Sequence, residues 1–176
     1  IDLADFFPSI NFGRIRGLFM APPFSMGPKA AAVMAQICIH GNGLPQGAPT
    51  SPVLSNFIAA GLHRRLTRLA REQKCAYSRY ADDITFSTDQ ATFPPALVIL
   101  DRRAPLVDQL QVGDPLERAI MMCGFSVNPK KVRLQGRHKH QSVTGLCVNR
   151  SVNVERSRIR KIRAMLHAWE KFGLAS

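Results

Sequence analysis

Two aspartates stand side by side in Tyr80-Ala81-Asp82-Asp83, between two runs, residues 75–80 and 84–87, that read as the strands of a hairpin. Neighbouring carboxylates repel each other and Asp is a poor strand residue, so stability gives little reason to place them there. A hard divalent cation gives one. Mg2+ is held by one or two carboxylates together with substrate phosphates, and paired ions in such sites stand about 3.5–4 Å apart. The plainer alternative is a solvated Asp-Asp turn joining two strands. Asp2 bears on the choice: it lies in the apolar run of residues 1–4, where an unpaired charge is costly unless a cation or hydrogen bonds compensate it. Asp2 is therefore a candidate partner for Asp82 and Asp83.

These residues need elements to carry them. Asp2 is expected at the end of a strand that turns at Pro8 into a helix begun by Ser9 or Asn11 as N-cap. Pro22-Pro23 and Gly27-Pro28 end that helix in a loop, and a second helix over residues 28–40 starts on Pro28 and stops before Gly41. The stiff loop Leu44-Pro45-Gln46-Gly47-Ala48-Pro49-Thr50 then feeds a helix with Ser51 as N-cap and Pro52 at the first helical position. Along it Leu54, Ile58, Leu62 and Leu66 recur every four residues, while Arg64, Arg68 and Arg71 take another face.

Pro94-Pro95, Pro105 and Pro115 interrupt the middle of the chain, with a helix expected over residues 115–123. Strands follow at 125–127, 132–134 and 142–148, with His138 and His140 in a basic turn that offers no third metal ligand. A last helix over residues 154–172 carries Ile159, Ile162, Leu166 and Trp169 as a core stripe and Arg156, Arg160 and Arg163 as a basic one. A basic stripe of that kind suits the backbone of a nucleic-acid duplex, where contact is independent of base sequence.

Composition bounds the classes. With 176 residues, 45% hydrophobic and 20% charged, the chain can bury a core as one domain. No run of 18 apolar residues occurs, so no membrane partner is expected. Cys38, Cys75, Cys123 and Cys147 form no Cys-x-x-Cys pair and read as free thiols in a reducing cytoplasm. The net charge of +12 is uneven: residues 1–117 carry 11 Lys/Arg against 10 Asp/Glu, whereas residues 118–176 carry 13 against 2. Basic blocks of this kind face phosphates.

Taken together, the motifs resemble the palm of a reverse transcriptase, most closely the bacterial retron type, over nearly all of the chain. Asp2-Leu3-Ala4-Asp5-Phe6-Phe7 resembles the first catalytic block, and residues 44–56 resemble the Leu-Pro-Gln-Gly-x-x-x-Ser-Pro block. Tyr80-Ala81-Asp82-Asp83 resembles the polymerase Tyr-x-Asp-Asp box, residues 124–131 the block after it, and Val143-Thr144-Gly145 the signature leading to the primer grip.

The resemblance implies an α+β fold, a small, mainly antiparallel sheet of ferredoxin or RRM-like kind packed against helices. Residues 1–153 would be the catalytic palm, and residues 154–176 a basic helix at the start of a thumb. It implies RNA-directed DNA synthesis with an RNA template, a DNA primer and deoxynucleoside triphosphates, and two Mg2+ ions for which Mn2+ could substitute. Asp2, Asp82 and Asp83, with the backbone carbonyl of Leu3, are the implied metal ligands. Phe7 is the implied wall against a ribose 2′-hydroxyl, Gln46 and Ala81 would meet the incoming nucleotide, and Lys131 would protonate the pyrophosphate leaving group or simply neutralise phosphate.

The family's fingers and the rest of its thumb would lie in further sequence of the same polypeptide, so the chain is expected to be a piece of a longer protein. Retron enzymes make RNA-linked DNA and serve in phage defence, which the resemblance carries over as an implication. A group II intron-type or other defence-associated reverse transcriptase is the alternative within the class. Outside the class the alternative is a palm-like RNA-binding module without catalysis.

Overall fold

The computed structural model of the chain describes residues 1–100 and 110–173. Pro105 and the last three residues of the expected thumb helix lie outside the described residues. Two compact units divide the chain, Ile1–Arg133 and Leu134–Ser176.

In the first unit the chain runs β1 (Leu3–Ala4), α1 (Phe6–Ser9), α2 (Phe12–Met20), α3 (Pro28–Cys38), α4 (Ser51–Ile58) and α5 (Ala60–Glu72). It continues through β2 (Ala76–Tyr80), β3 (Asp83–Ser87), β4 (Val98–Leu100), β5 (Leu110–Val112), α6 (Asp114–Met121), β6 (Ser126–Val127) and a 3-10 turn, Pro129–Lys131. The first segment is the centre of the architecture. Leu3 and Ala4 pair antiparallel with Val127 and Ser126 on one side. On the other, Asp2 forms an antiparallel bridge with Asp83, closed by Ile1 N donating to Ile84 O at 2.9 Å and Ile84 N to Ile1 O at 2.8 Å. The β2–β3 hairpin therefore joins the sheet through β3, and the order across it is β2, β3, β1, β6, all antiparallel. β4 and β5 make a separate antiparallel pair.

Side chains alternate along strands, and directly opposed residues share a face. Leu3 and Ile84 are buried, at 2% and 1% exposure, so theirs is the helix-covered face. Leu62 and Leu66 of α5 and Leu116 and Ile120 of α6 complete that core at the i, i+4 spacing of an amphipathic stripe. At about 25 cal/mol per Å2 of apolar surface, each such fully buried side chain contributes roughly 2 kcal/mol.

Several local expectations are corrected. Pro8 sits inside the single turn α1 rather than in a bend, and Asn11 alone caps α2, its side-chain oxygen accepting from Arg14 N at 3.1 Å. Ser51 is the first residue of α4 and not its cap; its hydroxyl donates to Pro45 O at 2.7 Å and ties the loop back on itself. The expected long helix after Pro52 is two helices interrupted at Ala59, a wholly buried small residue. Residues 132–134 form no strand.

Arg14 joins α2 to the end of α6. Its guanidinium donates to Cys123 O at 2.8 Å and Gly124 O at 3.1 Å and lies 4.3 Å over the Phe125 ring. The last carbonyls of a helix lack partners of their own, and a charged donor there is worth more than a neutral one. Arg14→Met is expected to cost about 2–3 kcal/mol, measured by denaturant unfolding; a loss under about 0.5 kcal/mol would mean that water replaces the guanidinium without penalty.

The second unit holds β7 (Ser142–Val143), β8 (Leu146–Cys147) and β9 (Asn153–Val154), a three-stranded antiparallel meander, followed by α7 (Arg156–Phe172). The expected single strand over 142–148 is thus a hairpin turning at Thr144-Gly145, both with positive φ. On α7, Ile162, Leu166 and Trp169 are 49%, 54% and 54% exposed. Most of the stripe expected to be core is therefore exposed, Trp169 with it, and Ile159 alone is partly buried.

Candidate active site

Asp2 and Asp83 alternate with Leu3 and Ile84, so both carboxylates leave the sheet on the face away from α5 and α6. Their bridge places them directly opposite each other, an arrangement in which like charges destabilise a sheet. Asp82 is the next residue, in the two-residue loop Ala81-Asp82 closed by the Tyr80–Asp83 pair. Asp83 is therefore a strand residue rather than part of the tip. Such loops call for positive φ at their first position, and Ala81 adopts it at 51°, a conformation that costs a non-glycine residue about 1 kcal/mol. The turn is further tied to the first strand by Leu3 N donating to Asp82 O at 3.1 Å.

Asp2 is 8% exposed, and its charge is compensated. Lys131 Nζ stands 3.0 Å from Asp2 Oδ2, carried there by the 3-10 turn after β6, whose preceding residue Asn128 donates its backbone N–H to Asp2 O at 2.9 Å. The hydrogen bond to Asp2 and its negative charge hold the ammonium above the usual lysine range, so Lys131 stays protonated. Burial pushes the Asp82 carboxyl above its ordinary value, and the Asp2 and Asp83 charges push it the same way; its own backbone N–H and Lys131 pull against them. Three carboxylates and one ammonium thus share one end of the sheet.

Among the described residues, no three His, Cys, Asp or Glu side chains gather closely enough to hold a metal ion alone. A phosphate-handling site does not require that, since one or two carboxylates supply the protein's share of ligands and the substrate's phosphates supply the rest. The donor chemistry fits: hard carboxylate oxygens repel one another, and the cation found among them is a lysine ammonium occupying Asp2.

The backbone ties Phe7 to the segment that carries Gln46. Leu44 N donates to Phe7 O at 3.2 Å, and Gly43 packs on Pro8. Phe7 is half-buried with its ring 5.2 Å from Phe6, edge to face, while Gln46 is exposed. Arg156, Arg160 and Arg163 are all exposed on α7. His138 and His140 are exposed and part of no metal cluster among the described residues.

Two features escaped the sequence reading. One is the pairing of Lys131 with Asp2, 129 residues apart, which no local pattern announces. The other is Arg79. On β2 it lies directly opposite Ile84 and so faces the helices, where its guanidinium donates to Ala81 O at 2.7 Å and to Asn56 Oδ1 of α4 at 3.0 Å. The signal for it was available: Tyr77 and Arg79 are two apart on one strand and must share a face.

Residues 1–148 match the family model described as reverse transcriptase (RNA-dependent DNA polymerase). The chain is similar to the retron Mx65 reverse transcriptase of Myxococcus xanthus, at 37% identity over 95% of the chain and 39% of that protein. It is 32% identical to the retron Mx162 reverse transcriptase of the same organism, over 97% of the chain and 39% of the relative. It is also 32% identical to the retron Ec86 reverse transcriptase of Escherichia coli, over 95% of the chain and 47% of the relative. The chain thus spans about two fifths to a half of the length of these relatives.

Proposed function

The chain belongs to the reverse transcriptase (RNA-dependent DNA polymerase) family, and we propose that it is the catalytic palm of a retron-type enzyme that extends a DNA primer on an RNA template with deoxynucleoside triphosphates. The observation that carries this is the pairing of Asp2 with Asp83 across the sheet, with Asp82 beside them. Carboxylates so opposed have no stabilising reason to be there, and two-metal nucleotidyl transfer needs them on neighbouring strands.

Asp2, Asp82, Asp83 and the Leu3 carbonyl would hold two Mg2+ ions, or Mn2+ in their place, whose chemistry when bound is to activate a hydroxyl nucleophile and neutralise phosphate charge. Lys131, protonated beside Asp2, would donate a proton to the pyrophosphate leaving group or offset its charge. Phe7 would exclude a ribose 2′-hydroxyl, with Gln46 and Ala81 against the incoming nucleotide. Arg156, Arg160 and Arg163 would follow the duplex backbone.

Residues 1–153 are read as the palm and 154–176 as the start of a thumb. The connectivity strand, helices, hairpin, helix, strand, with the order β2, β3, β1, β6, supports a ferredoxin or RRM-like reading of the sheet. Residues outside the chain would supply fingers and the remaining thumb. The retron reverse transcriptases among its relatives support the retron-type reading, and RNA-linked DNA as the product and phage defence as the setting are carried with it as part of the proposal. No described helix is long and apolar enough to cross a membrane.

Primer extension on an RNA template by the full-length parent tests the reading. Wild type is expected to use deoxynucleotides and to discriminate against ribonucleotides, and Phe7→Ala to narrow that discrimination by at least about tenfold, because steric exclusion is lost while uniform binding is kept. Unchanged discrimination in a folded Phe7→Ala protein would return Phe7 to a packing role. A wild type that binds RNA but extends nothing would favour the binding-module reading.

A further inference from the structure

We propose that Arg79 is a positioning residue that locks the carboxylate turn to α4, so that the Asp82 loop and the segment carrying Gln46 move as one body; this rests on the polymerase reading above. The geometry is a fork with two targets. One arm of the guanidinium holds Ala81 O at 2.7 Å, inside the strained loop that presents Asp82, and the other holds Asn56 Oδ1 at 3.0 Å. Asn56 lies on the helix whose first residue, Ser51, binds Pro45 O at 2.7 Å and so anchors the loop containing Gln46. Leu44 N, at the head of that loop, binds Phe7 O at 3.2 Å. A continuous set of hydrogen bonds and short covalent links therefore runs from the proposed sugar wall through the nucleotide-side loop and α4 to the turn bearing Asp82.

Packing needs do not explain an arginine at this position. Arg79 points to the helix-covered face, where its neighbours on the sheet are Ile84 and Tyr77. Its Nε and the Tyr77 hydroxyl are buried without a well-formed hydrogen bond, although the two side chains lie close enough for the guanidinium to offset part of the rise that burial imposes on the Tyr77 hydroxyl. Among the described residues no carboxylate pairs with it. A half-buried cation with two neutral acceptors and an unsatisfied N–H is a poor choice for stability alone. A planar fork that reaches two acceptors on different elements is a good choice for holding a loop in place, and displacement of a reacting group by about 1 Å can cost on the order of a hundredfold in rate.

Arg79→Lys keeps the charge but cannot span both acceptors. In the full-length parent, single-nucleotide incorporation by Arg79→Lys is expected to show kcat reduced at least about tenfold, with KM for the deoxynucleotide and primer–template affinity within about threefold of wild type. Mn2+ titration followed by electron paramagnetic resonance, with no nucleotide present, is expected to show weaker binding in Arg79→Lys. Asn56→Leu is expected to do the same in milder form, and Asn56→Asp, which retains an acceptor for the fork, to stay near wild type.

Wild-type kcat and wild-type Mn2+ binding in Arg79→Lys, with Asp82→Asn inactive, would overturn the positioning role while leaving the polymerase reading intact. Should Arg79→Lys fail to fold, Asn56→Leu decides by the same readouts, and a wild-type result there also overturns the proposal. A parent that incorporates no nucleotide would remove the polymerase reading and this proposal with it.

Discussion

Asp82→Asn is expected to abolish primer extension in the full-length parent, by more than about a hundredfold, the scale at which even the outer partners of metal ligands act, while leaving the fold at least as stable as before. The second half of that expectation separates a functional residue from a structural one. Asp82 carries a carboxyl whose ionisation is disfavoured, first by burial and then by Asp2 and Asp83. Asn is nearly isosteric and removes the repulsion. Activity lost with melting unchanged or slightly raised would be the mark of a site held against its own stability. Loss of both together would instead make Asp82 a support for the hairpin.

The direction of the Asp82 shift also sets a pH dependence. Its folded pKa lies above its unfolded value, so as pH rises the unfolded chain gives up this proton first. The group's ionisation therefore disfavours the folded state progressively between the ordinary aspartate value of 3.8 and the raised folded one. Cation binding requires the ionised form, so the acidic limb of the extension rate is expected above the ordinary aspartate range. Asp83→Asn removes one of the repelling charges and is expected to move Asp82's titration, followed by carboxyl-carbon NMR, towards lower pH. No movement would mean that the Asp83 charge takes no part and that burial and Asp2 raise the Asp82 carboxyl.

How much of this was legible in the sequence follows from which interactions are local. Asp2 and the Asp82-Asp83 pair stood out because charge in an apolar, strand-like setting is an anomaly that no local force explains. The helices were legible from four-residue spacing, and Leu62 and Leu66 are indeed buried. The break at Ala59 was not, because Ala59-Ala60-Gly61 contains no proline and the interruption is a single buried residue. Ser51 misled for a related reason. Ser followed by Pro is a common helix start, but here the hydroxyl is spent on Pro45 O, a contact within the loop rather than at the helix end. Lys131 with Asp2, and Asp2 with Asp83, depend on contacts between segments far apart in sequence, and only the residue types hinted at them. The exposed apolar stripe of α7 shows the complementary limit: periodicity identifies a face meant for burial and says nothing of what covers it.

Gly43→Ala is expected to be among the most damaging single substitutions away from the carboxylates, although it adds only a methyl group. A Cβ at Gly43 would lie 2.6 Å from both Cα and O of Pro8, and both are backbone atoms that cannot rotate aside. Gly43 and His40 are paired in a short bridge, and Leu44 N binds Phe7 O at 3.2 Å, so the strain cannot be absorbed by Gly43 alone. Either α1 moves or the Gln46 loop does. The cost is expected at about 2–3 kcal/mol, the upper part of the range for overpacking, and a few degrees of melting temperature per kcal/mol for a chain of this size.

Gly113→Ala provides the comparison. Its Cβ would meet the backbone of Pro95 and Ala96 as closely, in a segment remote in sequence from the Phe7–Leu44 contact, so a comparable loss of stability is expected there with deoxynucleotide selection unchanged. Gly43→Ala should in addition weaken discrimination against ribonucleotides, because the displaced segment carries Phe7. Equal loss of stability in the two variants with equal, wild-type discrimination would show that the Phe7 backbone tolerates displacement, and that the wall it forms does not depend on the loop packed behind it.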